Sequence, residues 1–375
     1  MIRSSRKLRV AVLFGGRSAE HDVSLASAFS ILQNIDTEKY DVVPVKISRE
    51  GRWTVLPNVH ALDSPKTLEA VHGKTVLVGD PSSRGLVSVD GPDGIPARAD
   101  PSHEPVDLVF PVLHGTFGED GTVQGLLQLA DIPCVGGGVL ASALGMDKVL
   151  QKQVFREAGI PIVDFLWFPR KEWVLSPGPI RDRIRTQIGF PCFVKPANLG
   201  SSVGVLKIKN ERGIGDAVDE AARFDRKLIV EKAIDARELE CAVLGNDDPR
   251  TSVVGEIVPC NEFYDYEAKY LRNGSQTLIP ADIPAAVSDE VQRLAMGAFK
   301  ALDGAGMARV DFFLERQTER VFLNEINTIP GFTPISMYPK LWEASGIAYP
   351  ELIDRLIELA LERYADLHQS RFRRE

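Results

Sequence analysis

Apolar residues run along this chain in two rhythms, and the places where one gives way to the other predict its elements. Residues 9–14, RVAVLF, form a short apolar run that stops at Gly15-Gly16. Leu25, Ala28, Phe29 and Leu32 then recur at i, i+3, i+4 and i+7, which marks one face of a helix. The strand-like segments YDVVPVKIS and VDLVFPVLHG come later. Strand, glycine turn, helix, strand is the grammar of a parallel α/β unit. Residues 57–105 interrupt it with a Pro-, Gly-, Asp- and Ser-rich stretch that holds the β-like KTVLVGD and predicted hairpins. Nothing chemical stands out there, and it is expected to be a surface elaboration.

A second unit begins near Gly138. Leu150, Val154 and Ala158 lie four apart, and Gly159 before Ile-Pro is a helix stop. From about 190 the pattern turns β-rich, through FPCFVKPA, VGVLKI, KLIVEKAI, ELECAVLG and SVVGEIVP. Short strands broken by Gly and Pro predict antiparallel sheet. Residues 288–302 return to helix, with Ser288 as the expected N-cap and Val291, Leu294, Ala295, Ala298 and Leu302 on one face. Two strands, MARVDFFLE and RVFLNEIN, precede a last helix at about 350–365. The chain therefore divides into an α/β unit (1–138) and two units of α+β character (139–239 and 240–375).

Composition narrows the classes. With 375 residues, 44% hydrophobic and 26% charged, the chain can bury two or three cores. No stretch approaches the roughly 20 apolar residues of a membrane span. The opening MIRSSRKLRVAVLF is basic and then apolar, but its apolar run is shorter than the roughly 7–15 residues of a signal core. It reads as a first strand. A net charge of −8 argues against a nucleic-acid partner. Cys134, Cys192, Cys241 and Cys260 lie far apart with no metal-ligand spacing, as expected of reduced thiols in a cytoplasmic protein.

The sharpest chemical signal lies in MARVDFFLE and RVFLNEIN. Side chains alternate along a strand, so Met307, Arg309 and Asp311 share one face, and Ala308, Val310, Phe312 and Leu314 the other. Glu325 and Asn327 share a face, with Asn324 and Ile326 opposite. The short RQTE linker lets the strands pair, which would gather Arg, Asp, Glu and Asn on one wall. Such an oxygen set, without sulfur or imidazole, suits Mg²⁺ or Mn²⁺ carrying nucleotide phosphates. The competing interpretation is a solvated strand face. The tight TIPGFT turn directly after NEIN favours a site.

A second signal is FVKPANLGSSVGV. A strand delivers Lys195, and a small-residue loop follows with Gly200, Ser201, Ser202 and Gly204. Backbone N–H groups and hydroxyls of such a loop can close over phosphates, with the lysine as a point charge. Alone, it is more often only a flexible turn. Neither GxxxxGK[ST] nor a strand-linked GxGxxG occurs.

Together these segments resemble the ATP-grasp superfamily, and within it the D-alanine–D-alanine ligases. The resemblance runs through LFGGRSAEHDVSLASA, FPVLHGTFGEDGTVQGLLQ, ASALGMDK, FVKPANLGSSVGV, LIVEKAI, FYDYEAKY, MARVDFFL and FLNEINTIPGFTPISMYPKLW. It implies an ATP-grasp fold behind an N-terminal Rossmann-like parallel α/β domain. By resemblance, Lys148, Lys195 and the Ser202 loop would contact ATP phosphates. Glu231, Lys232, Ala233 and Ile234 would line the adenine, Glu238 would hold the ribose, and Lys269 would reach the phosphates from the loop FYDYEAKY. Asp311, Glu325 and Asn327 would bind two Mg²⁺ or Mn²⁺. Glu20 would anchor the ammonium of the first D-alanine, with Ser24, His21 and His114 nearby. Ser201 and Tyr270 would link Glu20 to FYDYEAKY acting as a lid. Ser336 and Met337 would bound the second D-alanine, and the Gly331 N–H would join Arg309 as an oxyanion donor.

What the resemblance implies is ligation of two D-alanines through an acyl phosphate, for peptidoglycan precursors, by a cytoplasmic homodimer. The alternatives are a ligase taking D-lactate or D-serine second, another ATP-grasp ligase, and a non-catalytic regulator on the same fold. The EAKY lid sequence, the GGRSAEHDVS loop and the intact metal set speak for the first.

Overall fold

The computed structural model describes residues 6–56, 64–69, 75–82, 85–88, 105–258 and 276–371, and these form three sheets. The first apolar run becomes β1 (Leu8–Gly15), followed by α1 (His21–Asn34) and β2 (Tyr40–Ile47). Then come β3 (Trp53–Val55), α2 (Pro65–Glu69), β4 (Thr75–Leu77), β5 (Leu86–Ser88), β6 (Leu108–Val112) and α3 (Thr122–Leu129). The sheet order is β5-β4-β3-β2-β1-β6, with β1 parallel to both β2 and β6. β1 is covered on both faces, which is why its sequence is a continuous apolar run rather than an alternation. Val10, Val12 and Phe14 pack with Ala28 and Ile31 of α1, while Ala11 and Leu13 pack with Leu127 of α3.

Residues 57–105 depart from the expected surface elaboration. Their described strands β4 and β5 extend this sheet antiparallel beyond β3, and Leu68 of α2 is fully buried in the core. Strands of three residues are too short to reveal a period.

The second sheet follows α4 (Val139–Met146) and α5 (Lys148–Glu157). It carries β7 (Phe165–Pro169), α6 (Arg170–Leu175), α7 (Pro177–Arg183), β8 (Cys192–Pro196), β9 (Leu206–Ile208), α8 (Ile214–Ala221) and β10 (Lys227–Lys232). Its antiparallel order is β7-β10-β8-β9. Asp147 caps α5, accepting from the N–H groups of Val149 and Leu150 at 3.0 and 3.1 Å.

The third sheet contains β11 (Ala236–Gly245), β12 (Arg250–Val258), β13 (Gln276–Leu278), α9 (Ala285–Ala301), β14 (Gly306–Glu315) and β15 (Val321–Asn327). The helices α10 (Met337–Ala344) and α11 (Tyr349–Leu367) follow. The order is β13-β12-β11-β14-β15, all antiparallel. Helix α9 begins before the expected cap: the Pro284 carbonyl accepts from Val287 and Ser288, so Ser288 sits inside the first turn. Among the described residues no helix is long and apolar enough to cross a membrane. Cys134, Cys192 and Cys241 are free, and burial lifts their thiols to about 12, 11 and 12, so they are unreactive. Cys260 lies outside the described residues.

One side chain joins the first and third sheets. Phe332, fully buried in the turn after β15, meets Phe110 of β6 edge-on at 6.1 Å and Tyr349 of α11 at 6.0 Å, with Tyr338 of α10 at 5.4 Å. Phe332→Ala is expected to cost about 3–5 kcal/mol, the scale for emptying a buried aromatic site. Urea unfolding would show this as a lower midpoint, and an unchanged midpoint would contradict the joint.

Candidate active site

A cleft of about 800 Å³ opens between the second and third sheets. One wall presents Phe193 and Lys195 from β8 and Glu231 and Lys232 from β10, and Ala233 and Ile234 lead across. The facing wall presents Glu238 and Glu240 from β11, Asp311 from β14, and Asn324 and Glu325 from β15. Leu199, Gly200, Ser201 and Ser202 line the cleft from the loop after β8. Ser201 and Ser202 hold left-handed φ values of 50° and 58°, a conformation that non-glycine residues adopt rarely and that clusters at functional loops.

The alternation in β14 places its polar side chains. Val310, Phe312 and Leu314 are at most 4% exposed against α9, which turns Arg309 and Asp311 toward the cleft side. In β15 a bulge intervenes: Asp311 pairs with Glu325, but the next residue, Phe312, pairs with Leu323. The extra residue is Asn324. It lines the cleft beside Glu325, contrary to the opposite face expected from strict alternation. One inserted residue lets Leu323 and Ile326 both stay in the core while Glu325 and Asn327 stand opposite Asp311 and Arg309.

Four of the carboxylates here have a cation beside them. Arg309 Nε and Nη2 donate to the two Asp311 oxygens at 2.7 Å, and Nε lies 3.1 Å from Glu240. Asn327 Nδ2 also donates to Asp311, at 3.0 Å. Burial works against the Arg309 charge, yet Asp311 and Glu240 hold its pKa well above the ordinary value. Lys148 Nζ sits 3.1 Å from Glu325 and donates to the Leu199 carbonyl at 3.0 Å. Burial likewise opposes its charge, and Glu325 outweighs it to raise the pKa. Lys195 Nζ lies 2.6 Å from one Glu231 oxygen and Lys152 Nζ 3.1 Å from the other.

Beyond the 199–202 loop stands Glu20, 8% exposed at the N-terminus of α1. The Ser201 hydroxyl donates to Glu20 Oε1. A Cβ built on Gly115 or on Gly200 would come within 2.5 Å of Glu20 Oε2, so backbone closes on this carboxylate from two sides. The loop that lines the large cleft therefore also grips a carboxylate of the first unit.

Two family models cover nearly the whole chain: the D-ala D-ala ligase N-terminus at residues 9–137 and its C-terminus at 154–358. The chain belongs to the D-alanine–D-alanine ligase family. A D-alanine–D-alanine ligase of Acetivibrio thermocellus is 50% identical over 366 residues, covering 96% of this chain and 97% of the relative. The D-alanine–D-alanine ligase structure from Coxiella burnetii superimposes with a TM-score of 0.84 at 38% identity, over 97% of each chain. The VanG D-Ala:D-Ser ligase from Enterococcus faecalis gives 0.82 at 34% identity, over 95% of this chain and all of that one.

Several residues expected from the ligase resemblance are buried in the structure. Ser24 is fully buried, accepting from the Gly15 N–H at 2.7 Å and donating to the Val112 carbonyl, so it ties β1 to β6. His21 is buried too, its Nδ1 2.7 Å from the Gly16 carbonyl. His114 is 5% exposed with both nitrogens engaged: Nδ1 is 3.1 Å from the Ile329 carbonyl and Nε2 3.0 Å from Ser27 Oγ. A carbonyl can only accept, so Nδ1 carries the proton. Burial keeps the His114 pKa below its ordinary value. Met337 is 4% exposed, against Gly255. Ser336 accepts from the Thr333 N–H at 3.0 Å, and a Cβ on Gly331 would come within 2.8 Å of its hydroxyl. Lys269 and Tyr270 lie outside the described residues.

Sequence reasoning passed over Glu240, Lys152, Ser27 and Glu119. The alternation with Glu238 would have flagged Glu240. Glu119 had no such sign. It accepts from the Gly115 N–H at 2.8 Å and the Ile329 N–H at 3.3 Å, clamping the HGTFGEDG turn to the TIPG turn. Burial, reinforced by Glu20, pushes its carboxyl up to about 8 from an ordinary 4.5. Between those values the folded chain holds a proton that the unfolded chain has released, so stability falls as pH rises through this window. Urea unfolding of Glu119→Gln should shift in the variant's favour, relative to the native chain, from pH about 4.5 to about 8. A difference independent of pH would contradict this protonation.

Proposed function

We propose that this protein is the cytoplasmic enzyme that joins two D-alanines at the expense of ATP, supplying a dipeptide for peptidoglycan precursors. One observation carries the proposal: the 199–202 loop lines the nucleotide-sized cleft and at the same time holds Glu20 through Ser201 and Gly200. An amino-acid anchor and a phosphate site thus share one loop.

Glu20 would hold the ammonium of the first D-alanine, leaving its carboxylate toward the cleft. That carboxylate attacks the γ-phosphorus of ATP, giving an acyl phosphate and ADP. The neutral amine of the second D-alanine then attacks the acyl carbon, and phosphate leaves from the tetrahedral species. A free carboxylate is a poor electrophile, and phosphorylation supplies its leaving group. Lys148 and Lys195 would neutralise the phosphates, with Ser202 closing on them. Glu231 and the Lys232, Ala233 and Ile234 crossing would take the adenine, and Glu238 the ribose. Arg309, with the Gly331 N–H, would stabilise the tetrahedral oxygen. Ser336, beside Gly331, would border the second amino acid.

The wall of Asp311, Glu325 and Asn327 offers two carboxylates and one amide oxygen, a hard donor set that fits Mg²⁺ or Mn²⁺. Two such ions held there would supply positive charge to the triphosphate. The same wall pairs with Arg309 at Asp311 and with Lys148 at Glu325, and this negative character supports the reading. A homodimer suits the family. D-serine as second substrate is the rival, and the 50% identity to a D-alanine–D-alanine ligase against 34% to VanG favours D-alanine.

Phosphate release from ATP is expected to require D-alanine and not to respond to L-alanine; release indifferent to the enantiomer would reject the proposal. Arg309→Ala is expected to lower kcat by about 100- to 1000-fold, the scale for losing an oxyanion donor. Steady-state kinetics showing a loss under about tenfold would remove Arg309 from that role.

A further inference from the structure

Lys152 lies one helical turn beyond Lys148 on α5, and that turn takes it out of the cleft and into the protein. It is 1% exposed. Its Nζ donates to the carbonyl of Asn324, the bulge residue of β15, at 2.9 Å, and sits 3.1 Å from Glu231 Oε1. Lys195 holds the other Glu231 oxygen at 2.6 Å. One carboxylate, 2% exposed, thus has two ammonium partners in different surroundings. Lys195 and Glu231 line the cleft, whereas Lys152 does not.

Phosphate binding would draw Lys195 toward the triphosphate. A buried carboxylate that loses its only cation is strongly disfavoured, because the protein interior cannot replace the lost solvation. Glu231 escapes this only if a second cation stays behind. We infer that Lys152 is the resident counterion of Glu231, a positioning residue that keeps the carboxylate ionised and in place while Lys195 exchanges from Glu231 to the phosphates of ATP. The inference rests on the proposed ATP site. Lys195 is the exchangeable partner because it faces the ligand. Lys152 is the fixed one because the Asn324 carbonyl holds it from behind. The electrostatics agree: burial opposes ionisation of Glu231, and Lys152 and then Lys195 bring its pKa down to about 2. Burial pulls the Lys152 pKa below its ordinary value, against the opposing pull of Glu231.

The test compares dissociation constants of adenosine and of MgATP for the full chain by calorimetry without D-alanine. Their ratio isolates what the phosphates contribute. In Lys152→Met, release of Lys195 would strand Glu231, so MgATP should weaken at least about tenfold while adenosine changes by less than about threefold. Lys152→Met/Glu231→Gln should restore the native ratio, because a neutral amide needs no counterion and leaves Lys195 free. A merely structural lysine would weaken both ligands alike and would not be rescued; either result overturns the inference. If Lys152→Met does not fold, Lys152→Gln, which keeps a donor for Asn324, takes its place. A fold lost in both single variants and regained in the double supports the counterion role, whereas a fold lost in all three assigns Lys152 to the scaffold and overturns it. Failure of the native chain to bind MgATP more tightly than adenosine would instead reject the ATP site itself.

Discussion

Four carboxylates, those of Asp311, Glu325, Glu240 and Glu231, stand on the walls of one cleft, and they can do so only because Arg309, Lys148, Lys195 and Lys152 stand among them. Glu231, Lys152 and Glu240 are nearly closed to water and the others are part-buried, so their mutual attraction is less screened than at the surface and an unmatched charge among them would be costly. That constraint organises the second and third sheets. It explains why α5 sends two lysines, one turn apart, toward β10 and β15. It also explains why the third sheet tolerates polar residues opposite a face that is largely apolar. The arrangement is balanced without a ligand, and it is balanced by groups that can change partners. An anionic nucleotide with its cations could enter by exchanging ion pairs rather than by creating charge in a dry interior.

The Glu20 end of the site follows a different rule, that of close approach. Gly115 and Gly200 come so near the carboxylate that a methyl group on either would collide with it, and the Ser201 hydroxyl completes the grip. The turns around it are pinned from behind by buried and part-buried polar groups. Glu119 holds Gly115 and Ile329. His114 holds Ile329 and Ser27, and Ser27 in turn accepts from the Phe332 N–H at 3.2 Å. Apart from the local Glu119–Gly115 bond, these contacts connect residues 87 to 305 positions apart in the chain, and they fix two loops and helix α1 to one another. Phe332 carries the apolar half of the same joint.

Much of the fold was legible because its signals are local. The doubly covered β1, the amphipathic α9 and the alternating β14 each declare their environment within a few residues, since side-chain direction is set by the backbone period. The same periodicity brought Arg309 and Asp311 to one face before any coordinates. Short strands such as β4 and β5 do not declare which sheet they join, because three residues contain no period. The placing of Ser288 failed because the helix starts four residues earlier, at Pro284, without a side-chain cap to announce it.

By itself the sequence determined the parallel and antiparallel units, the oxygen-rich strand pair, the absence of a Walker loop and, through eight motifs in order, the family. Only the tertiary structure decided that a one-residue bulge at Asn324 aligns Glu325 with Asp311, that Ser24 bonds to Val112 and His114 to Ile329, and that Lys152 and Glu240 complete the ionic wall. The physical reason is range. Periodicity fixes where a side chain points relative to its neighbours in the chain, but a charge is stabilised by whatever lies within a few ångströms of it. For Glu231 and Lys152, as for Glu20 and Ser201, that neighbour comes from another element altogether.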